Sequence, residues 1–161
     1  MPRVHSQKAA KDYPAHDIKK GDTYYWWKFR HGGKVLSKTF PRQSQLTQSD
    51  KLSRAYATAE NLSDAIGEAE DTEAIVDALN DAATSAREIG EEYGESADNI
   101  ESAFPNGSPT ADDCREKADS MDSWADELES AASEVEALDD DEEDKMEEAK
   151  RIAEDANNCP L

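Results

Sequence analysis

Aromatic and basic side chains are concentrated in residues 21–42, whose sequence is GDTYYWWKFRHGGKVLSKTFPR. Trp26, Lys28 and Arg30 follow one another at intervals of two residues, so an extended strand would place all three on one face. Lysine and arginine contact phosphates and release counterions. A base stacked on an aromatic ring contributes about 1–3 kcal/mol in single strands. The pattern therefore predicts a surface that contacts nucleic acid.

Other cations near this stretch extend the candidate surface. The predicted nucleic-acid-binding residues are Lys19, Lys20, Trp26, Lys28, Arg30, Lys34, Lys38 and Arg42. The alternative interpretation is that the aromatic residues all form a core and that the cations only solvate the edge of the hairpin. The residues themselves leave both interpretations open.

Two short strands must position these side chains. Residues 23–30 and 34–40 are rich in strand-forming residues, and Gly32-Gly33 between them favours a two-residue turn. In that register Phe29 lies opposite Leu36. One face would carry Tyr25, Trp27, Phe29, Leu36 and Phe40. The opposite face would carry Tyr24, Trp26, Lys28, Arg30, Val35, Ser37 and Thr39.

A two-stranded hairpin is only marginally stable in water. The apolar face of this hairpin therefore needs a cover, which could be a third strand from residues 13–20 or a helix downstream.

The hairpin resembles the arm-type DNA-binding β-modules at the N-termini of phage tyrosine integrases. The resemblance rests on the aromatic-basic strand, the glycine turn and the ending Lys38-Thr39-Phe40-Pro41. It covers residues 21–42, about one seventh of the chain. Those modules are similar to AP2 domains, in which a three-stranded sheet with one helix docks in a DNA groove. The resemblance implies a DNA-binding sheet but no recombinase, because nothing downstream looks like a recombinase catalytic domain.

The charge of the 161-residue chain is distributed very unevenly. Residues 1–55 contain twelve Lys and Arg and four Asp and Glu, a net +8. Residues 56–161 contain six Lys and Arg and thirty-four Asp and Glu, a net charge of −28. The whole chain has a formal charge of −20. Such asymmetry points to nucleic acid, to a mimic of it or to a basic partner.

The predicted fold class is α+β, with a small basic β-hairpin or sheet module followed by an acidic antiparallel helical bundle or long helical hairpin. Residues 1–20 are predicted to be a basic flexible arm, because they are polar and lack periodicity. Residues 21–48 form the hairpin module and residues 49–158 the acidic helical region. Apolar residues make up only 36% of the chain, which argues against one large core.

Apolar spacings of three and four predict helices near residues 50–67, 72–104 and 110–157. The third helix either continues through the acidic run at 139–144 or breaks there. The apolar positions stay in phase across the run, which slightly favours continuation, whereas repulsion between like charges favours a break.

The acidic helices could imitate nucleic acid. Residues 72–158 contain twenty-nine acidic side chains, which corresponds to roughly one per 4.5 Å of helix. Two adjacent helices would present roughly one per 2.3 Å, against one phosphate per 1.7 Å of duplex DNA. The alternative is an ordinary solvated helix exterior.

No residue pattern indicates a metal site, a cofactor site or an active site. The three histidines lack helical ligand spacing, and the acidic run lacks the glycine and terminal glutamate of an EF-hand. The two cysteines are far apart in sequence. We therefore expect a non-enzymatic protein without cofactor. Because no apolar run approaches the ~20 residues of a membrane span and no secretory signal is present, we expect a cytoplasmic location and no membrane partner.

Three functional hypotheses follow. The first is a nucleic-acid-associated accessory protein, whose hairpin contacts nucleic acid and whose acidic helices bind a basic protein or cover the hairpin. The second is a phage-type DNA-mimic inhibitor of a nucleic-acid-binding enzyme. The third is a structural or assembly protein that forms homo-oligomers through its alanine-rich helical seam.

Overall fold

The computed structural model describes residues 1–138 and 144–161. The chain forms two compact units, Met1–Ser53 and Arg54–Leu161. The first contains a three-stranded antiparallel sheet and is called the sheet unit. The second is built from helices and is called the helical unit. The α+β prediction, a small sheet followed by a helical bundle, is confirmed.

The sheet has three strands, β1 (His5–Lys8), β2 (Thr23–Lys28) and β3 (Lys34–Ser37), with β2 in the centre. Two 3-10 turns, Pro14–His16 and Gln43–Leu46, lie in the connecting segments. The sheet is therefore wider by one strand than the predicted hairpin.

The prediction of a flexible arm at residues 1–20 is wrong, because this segment supplies strand β1. His5 pairs with Trp26, and Lys8 pairs with Thr23. The sequence of β1 is HSQK, and three of its four residues are exposed. An edge strand of this kind is held by backbone hydrogen bonds to β2 and leaves no apolar alternation to detect.

The rest of the N-terminal segment crosses one face of the sheet. Ile18 is buried there together with Ala9 and Tyr24. Gly21 makes the return into β2 with a φ of +94°, which favours glycine. Its N–H donates a 2.8 Å hydrogen bond to the carbonyl oxygen of Ala9.

The predicted register between β2 and β3 is wrong, because the observed pairing is shifted by three residues. Leu36 lies opposite Trp26 rather than Phe29, and Lys28 lies opposite Lys34. The connection therefore spans residues 29–33 instead of the two glycines alone. An odd shift moves Leu36 to the other face of the sheet, where it packs against the cluster that buries Tyr24.

The described residues of the helical unit form four helices, α1 (Asp50–Glu68, which begins in the sheet unit), α2 (Thr72–Ala103), α3 (Pro109–Glu136) and α4 (Lys145–Ala156). The first two agree with the predicted ranges. The favoured continuation of the third helix is wrong, because Ala137 caps α3 and a separate helix follows. Of the acidic run at 139–144, residues 139–143 lie outside the described part of the chain.

The four helices share one core rich in alanine. Trp124 of α3 is the largest fully buried side chain in it, and its indole N–H donates a 3.0 Å hydrogen bond to the carbonyl oxygen of Ala156 at the end of α4. The Asn157 amide donates to the carbonyl oxygen of Ala59 in α1 at 3.0 Å. These two bonds fix the C-terminal end of α4 against α3 and α1.

Arginine side chains bridge neighbouring helices, each between two carboxylates. The arginine bridges are Arg54 with Glu88 and Glu92, Arg87 with Asp126 and Glu129, and Arg115 with Asp98 and Glu101. The hydrogen bond from Arg115 lowers the pKa of Glu101, and the same bond raises the pKa of Arg115. Each bridge spans two helices, α1 with α2 or α2 with α3.

Over residues 1–138 and 144–161, no helix combines the length and apolar character needed to cross a membrane.

Two glycines of α2 provide a test of helix packing. A Cβ atom on Gly90 would lie 2.8 Å from a carboxylate oxygen of Asp122 and 3.4 Å from the carbonyl oxygen of Ala118. A Cβ atom on Gly94 would meet nothing within 4 Å. We predict that Gly90→Leu lowers the free energy of unfolding by about 1–3 kcal/mol through overpacking.

Gly94→Ala is the matched control and is predicted to raise the free energy of unfolding by about 0.5–1 kcal/mol. Urea unfolding followed by far-ultraviolet circular dichroism measures both variants. If Gly90→Leu unfolds at the wild-type urea midpoint, the close approach of α2 and α3 at this position is wrong.

Candidate nucleic-acid interface

Three of the predicted site residues lie together on one side of the sheet. Alternation along β2 and the pairing with its neighbours define the Trp26 face, which carries His5, Gln7, Tyr24, Trp26, Lys28, Lys34 and Leu36. Trp26, Lys28 and Lys34 are the site residues among them. At one end of this face Tyr24 is only 1% exposed, because Ile18 packs with it in a buried cluster. At the other end the side chains of Lys28 and Lys34 are exposed.

The Trp26 indole is enclosed by two neighbours. The imidazole of His5 stacks on it, with ring centroids 4.2 Å apart and an angle of 14° between the planes. The ammonium group of Lys34 lies 4.2 Å from the indole centroid. Because β1 and β3 flank β2, these two groups approach from opposite sides. The indole therefore does not offer a free ring face on which a base could stack.

Cations and rings continue along the same face. The Lys34 ammonium is also 5.7 Å from the Tyr24 ring, and the Tyr24 and Tyr13 rings are 5.7 Å apart. The Lys11 ammonium lies 5.5 Å from the Tyr13 ring. Such cation–π contacts contribute about 0.5–1 kcal/mol each at exposed sites. They hold Lys11 and Lys34 over the sheet with their charges accessible to solvent.

Lys28 and Lys34 are direct cross-strand partners. Like charges directly opposite one another destabilise a sheet. Both side chains are exposed, and within the part of the chain that the structure describes neither ammonium forms an ion pair. The pair therefore creates a concentrated positive site that lacks an internal counter-charge.

Lys38 differs from this pair because its charge is partly neutralised. Its ammonium donates a 2.9 Å hydrogen bond to a carboxylate oxygen of Asp17. That bond and the lysine charge lower the pKa of Asp17, and the carboxylate raises the pKa of Lys38. Lys38 is thus less available to an external anion than Lys28 or Lys34.

The other predicted cations are more dispersed within the sheet unit. Lys19 and Lys20 lie before β2, where their backbone N–H groups donate to Asp22 and Asp12, and their side chains are exposed. Arg30 follows β2 in the connection to β3. Arg42 precedes the second 3-10 turn, and its backbone N–H donates to the Gln45 side chain.

The sheet unit as a whole is strongly basic. Met1–Ser53 contains eleven Lys and Arg and four Asp and Glu, a net charge of +7. A potential of this sign attracts polyanions and speeds their association, and salt weakens the effect.

Sequence reasoning missed the contributions of His5, Lys11 and Tyr13 to this surface. The histidine spacing suggests no role for His5, and the lack of periodicity in residues 1–20 predicts a flexible arm that includes Lys11 and Tyr13. Lys11 and Tyr13 lie outside the three strands, so alternation could not assign them to a face.

The opposite side of the sheet also carries large aromatic residues. Trp27 is only 3% exposed. Tyr25 contacts Phe40 edge to face, with centroids 5.4 Å apart, and Phe40 is 64% exposed. The prediction that Tyr25, Trp27 and Phe40 belong to one apolar side agrees with this arrangement.

The part of the chain that the structure describes shows neither clustered metal ligands nor a reactive thiol. Among residues 1–138 and 144–161, no group of three or more His, Cys, Asp and Glu is placed to hold a metal ion. Both cysteines are free and half-buried, and burial raises the pKa of the Cys159 thiol. A raised pKa reduces the thiolate fraction that would react as a nucleophile.

Comparison with protein-family models, with curated proteins and with solved structures finds no match to this chain. The resemblance of residues 21–42 to integrase arm-type modules therefore stays a prediction.

The Asp17–Lys38 ion pair gives a testable pH dependence. The folded-state pKa of Asp17 is lowered, so the pair stabilises the fold above the unfolded-state pKa and is lost as the pH falls through the folded value. We predict an NMR titration midpoint for the Asp17 carboxyl below 3.8, its ordinary value, in the wild type and a return towards it in Lys38→Met. Lys19→Met, a matched loss of a nearby charge, should leave the midpoint unchanged. An equal midpoint in all three proteins would contradict the ion pair.

Proposed function

We propose that the protein is a non-enzymatic nucleic-acid-binding accessory protein and that the Trp26 face is its contact surface. The observation that carries the proposal is the cross-strand pair of Lys28 and Lys34. The two lysines are cross-strand Cα partners without an ion pair among the described residues, and like charges at such positions destabilise a sheet. Phosphate groups of a nucleic acid would supply the missing negative charge.

The enclosure of Trp26 indicates how this contact works. His5 and Lys34 occupy the sides of the indole, so the face contacts the nucleic-acid backbone through cations rather than through stacked bases. Backbone contacts position a protein without reading sequence. Binding is therefore expected to be weakly sequence-dependent and strongly salt-dependent, and a duplex satisfies these requirements as well as a single strand.

The test replaces the lysine pair in the full-length chain. Each lysine contact to duplex DNA contributes about 0.9 to the slope of log K against log salt concentration. We predict that Lys28→Gln/Lys34→Gln lowers this slope by about 2 and weakens binding at least tenfold at low salt. Fluorescence anisotropy with labelled duplex DNA and duplex RNA, over a range of salt concentrations, measures both quantities.

The matched control is Lys145→Gln/Lys150→Gln, which removes the same charge from α4 of the helical unit. This control should keep the wild-type slope. Failure of the wild-type protein to bind any nucleic acid at low salt would refute the proposed function, and equal effects of the two double variants would refute the assignment to the Trp26 face.

A second candidate function concerns the outer side of α3. While the arginine bridges occupy carboxylates between helices, the exposed side chains of Asp112, Glu116 and Asp119 have no ion pair among the described residues. Their spacing of three or four residues corresponds to about 4.5–6 Å along the helix. One DNA strand carries a phosphate every 3.4 Å, so this row is less dense than DNA. A basic protein partner therefore fits the row better than DNA mimicry does.

We predict that Asp112→Asn/Glu116→Gln/Asp119→Asn loses a basic partner that the wild-type chain captures from its native cell extract. The control variant Glu73→Gln/Asp77→Asn/Asp81→Asn removes three charges from exposed positions of α2 and should retain that partner. Quantitative mass spectrometry measures how much of each captured protein the wild type and the two triple variants retain. Equal capture by both variants would show that only net charge matters.

A further inference from the structure

An open cavity of about 530 Å³ lies at the end of β2, within the sheet unit. Its walls include Pro2, Lys28, Phe29, Arg30, Leu46 and Gln48. The volume falls within the range of roughly 300–1,000 Å³ that is typical of small-ligand sites. No carboxylate is among the residues that line it, so its electrostatic preference is for an anion.

The cavity has a cationic wall and an apolar wall, which suit the phosphate and the base of one nucleotide. Lys28 and Arg30 supply positive charge, and an arginine guanidinium can bind a phosphate through two parallel hydrogen bonds. Phe29 and Leu46 supply an apolar wall against which a planar group can lie. The Gln48 side chain can both donate and accept hydrogen bonds, as the edge of a nucleobase requires.

Gly32 holds the β2–β3 connection close to the segment that carries Gln48. A Cβ atom on Gly32 would lie 3.3 Å from the Cβ of Phe29 and 3.5 Å from the amide nitrogen of Gln48. The Gly32 N–H also donates a 3.2 Å hydrogen bond to the carbonyl oxygen of Phe29. Gly32, which does not itself line the cavity, therefore lies beside two residues that do, Phe29 and Gln48.

We propose that this cavity binds one unpaired nucleotide of a nucleic-acid strand, with the phosphate at Lys28 and Arg30 and the base against Phe29 and Leu46. The inference rests on the proposed function, because Lys28 belongs both to the Trp26 face and to the cavity. If a duplex binds the Trp26 face, an unpaired nucleotide at its end can reach the adjacent cavity. The cavity supplies the stacking surface that the enclosed Trp26 indole does not.

The experiment compares a blunt duplex with the same duplex carrying a short single-stranded extension, using the full-length protein. One stacked base contributes about 1–3 kcal/mol, so we expect the extended duplex to bind about tenfold more tightly. Phe29→Ala should bring the ratio of the two affinities close to one and leave blunt-duplex binding unchanged. A nucleoside monophosphate should compete with the extended duplex and not with the blunt one.

Two further variants keep the test decisive if Phe29→Ala fails to fold. Gln48→Ala, at an exposed position, and Gly32→Val, which would push Phe29 and Gln48 apart, should each lower the affinity ratio. Equal wild-type affinities for the two duplexes would overturn the cavity proposal and leave the proposed function standing. A preference that persists in all folded variants would also overturn it, and absence of binding to either duplex would refute both proposals.

Discussion

The arginine bridges between helices counter the electrostatic repulsion that the charge of the helical unit creates. Arg54–Leu161 contains seven Lys and Arg and thirty-four Asp and Glu, a net charge of −27. The alanine-rich core draws the helices together and so brings carboxylates of neighbouring helices close to one another. Arg54, Arg87 and Arg115 lie across these lines of contact, each between two carboxylates. Exposed pairs are individually weak, about 0–1 kcal/mol, but here they replace repulsion with attraction where the helices meet.

Much of the fold could be predicted because helical periodicity is a strong local signal. Ile75 and Leu79, spaced for one helical face, are both buried. The break after α3 could not be predicted in this way, because the apolar spacing remains in phase across the acidic run. Strand β1 escaped prediction because HSQK has no apolar alternation, and its pairing depends on a strand about twenty residues further along the chain.

The candidate site was only partly predictable for a related reason. Alternation within β2 correctly placed Trp26 and Lys28 on one face, since that depends on one strand alone. The position of Lys34 opposite Lys28 depends on the pairing register, and the glycine pair suggested a tighter turn than the chain adopts. The enclosure of Trp26 by His5 depends on a strand that the sequence did not reveal. Local patterns thus identified the residues, whereas their availability to a ligand was decided by contacts across strands.

The opposed lysines of β2 and β3 have a consequence for the stability of the sheet itself. An anion that binds this pair in the folded sheet and binds the unfolded chain only weakly stabilises the fold by up to RT ln(1 + [L]/Kd). At a ligand concentration one hundred times the Kd this amounts to about 2.7 kcal/mol. Under the proposed function, nucleic-acid binding at Lys28 and Lys34 is therefore linked thermodynamically to folding of the sheet. The sheet would then be most stable where that nucleic acid is abundant.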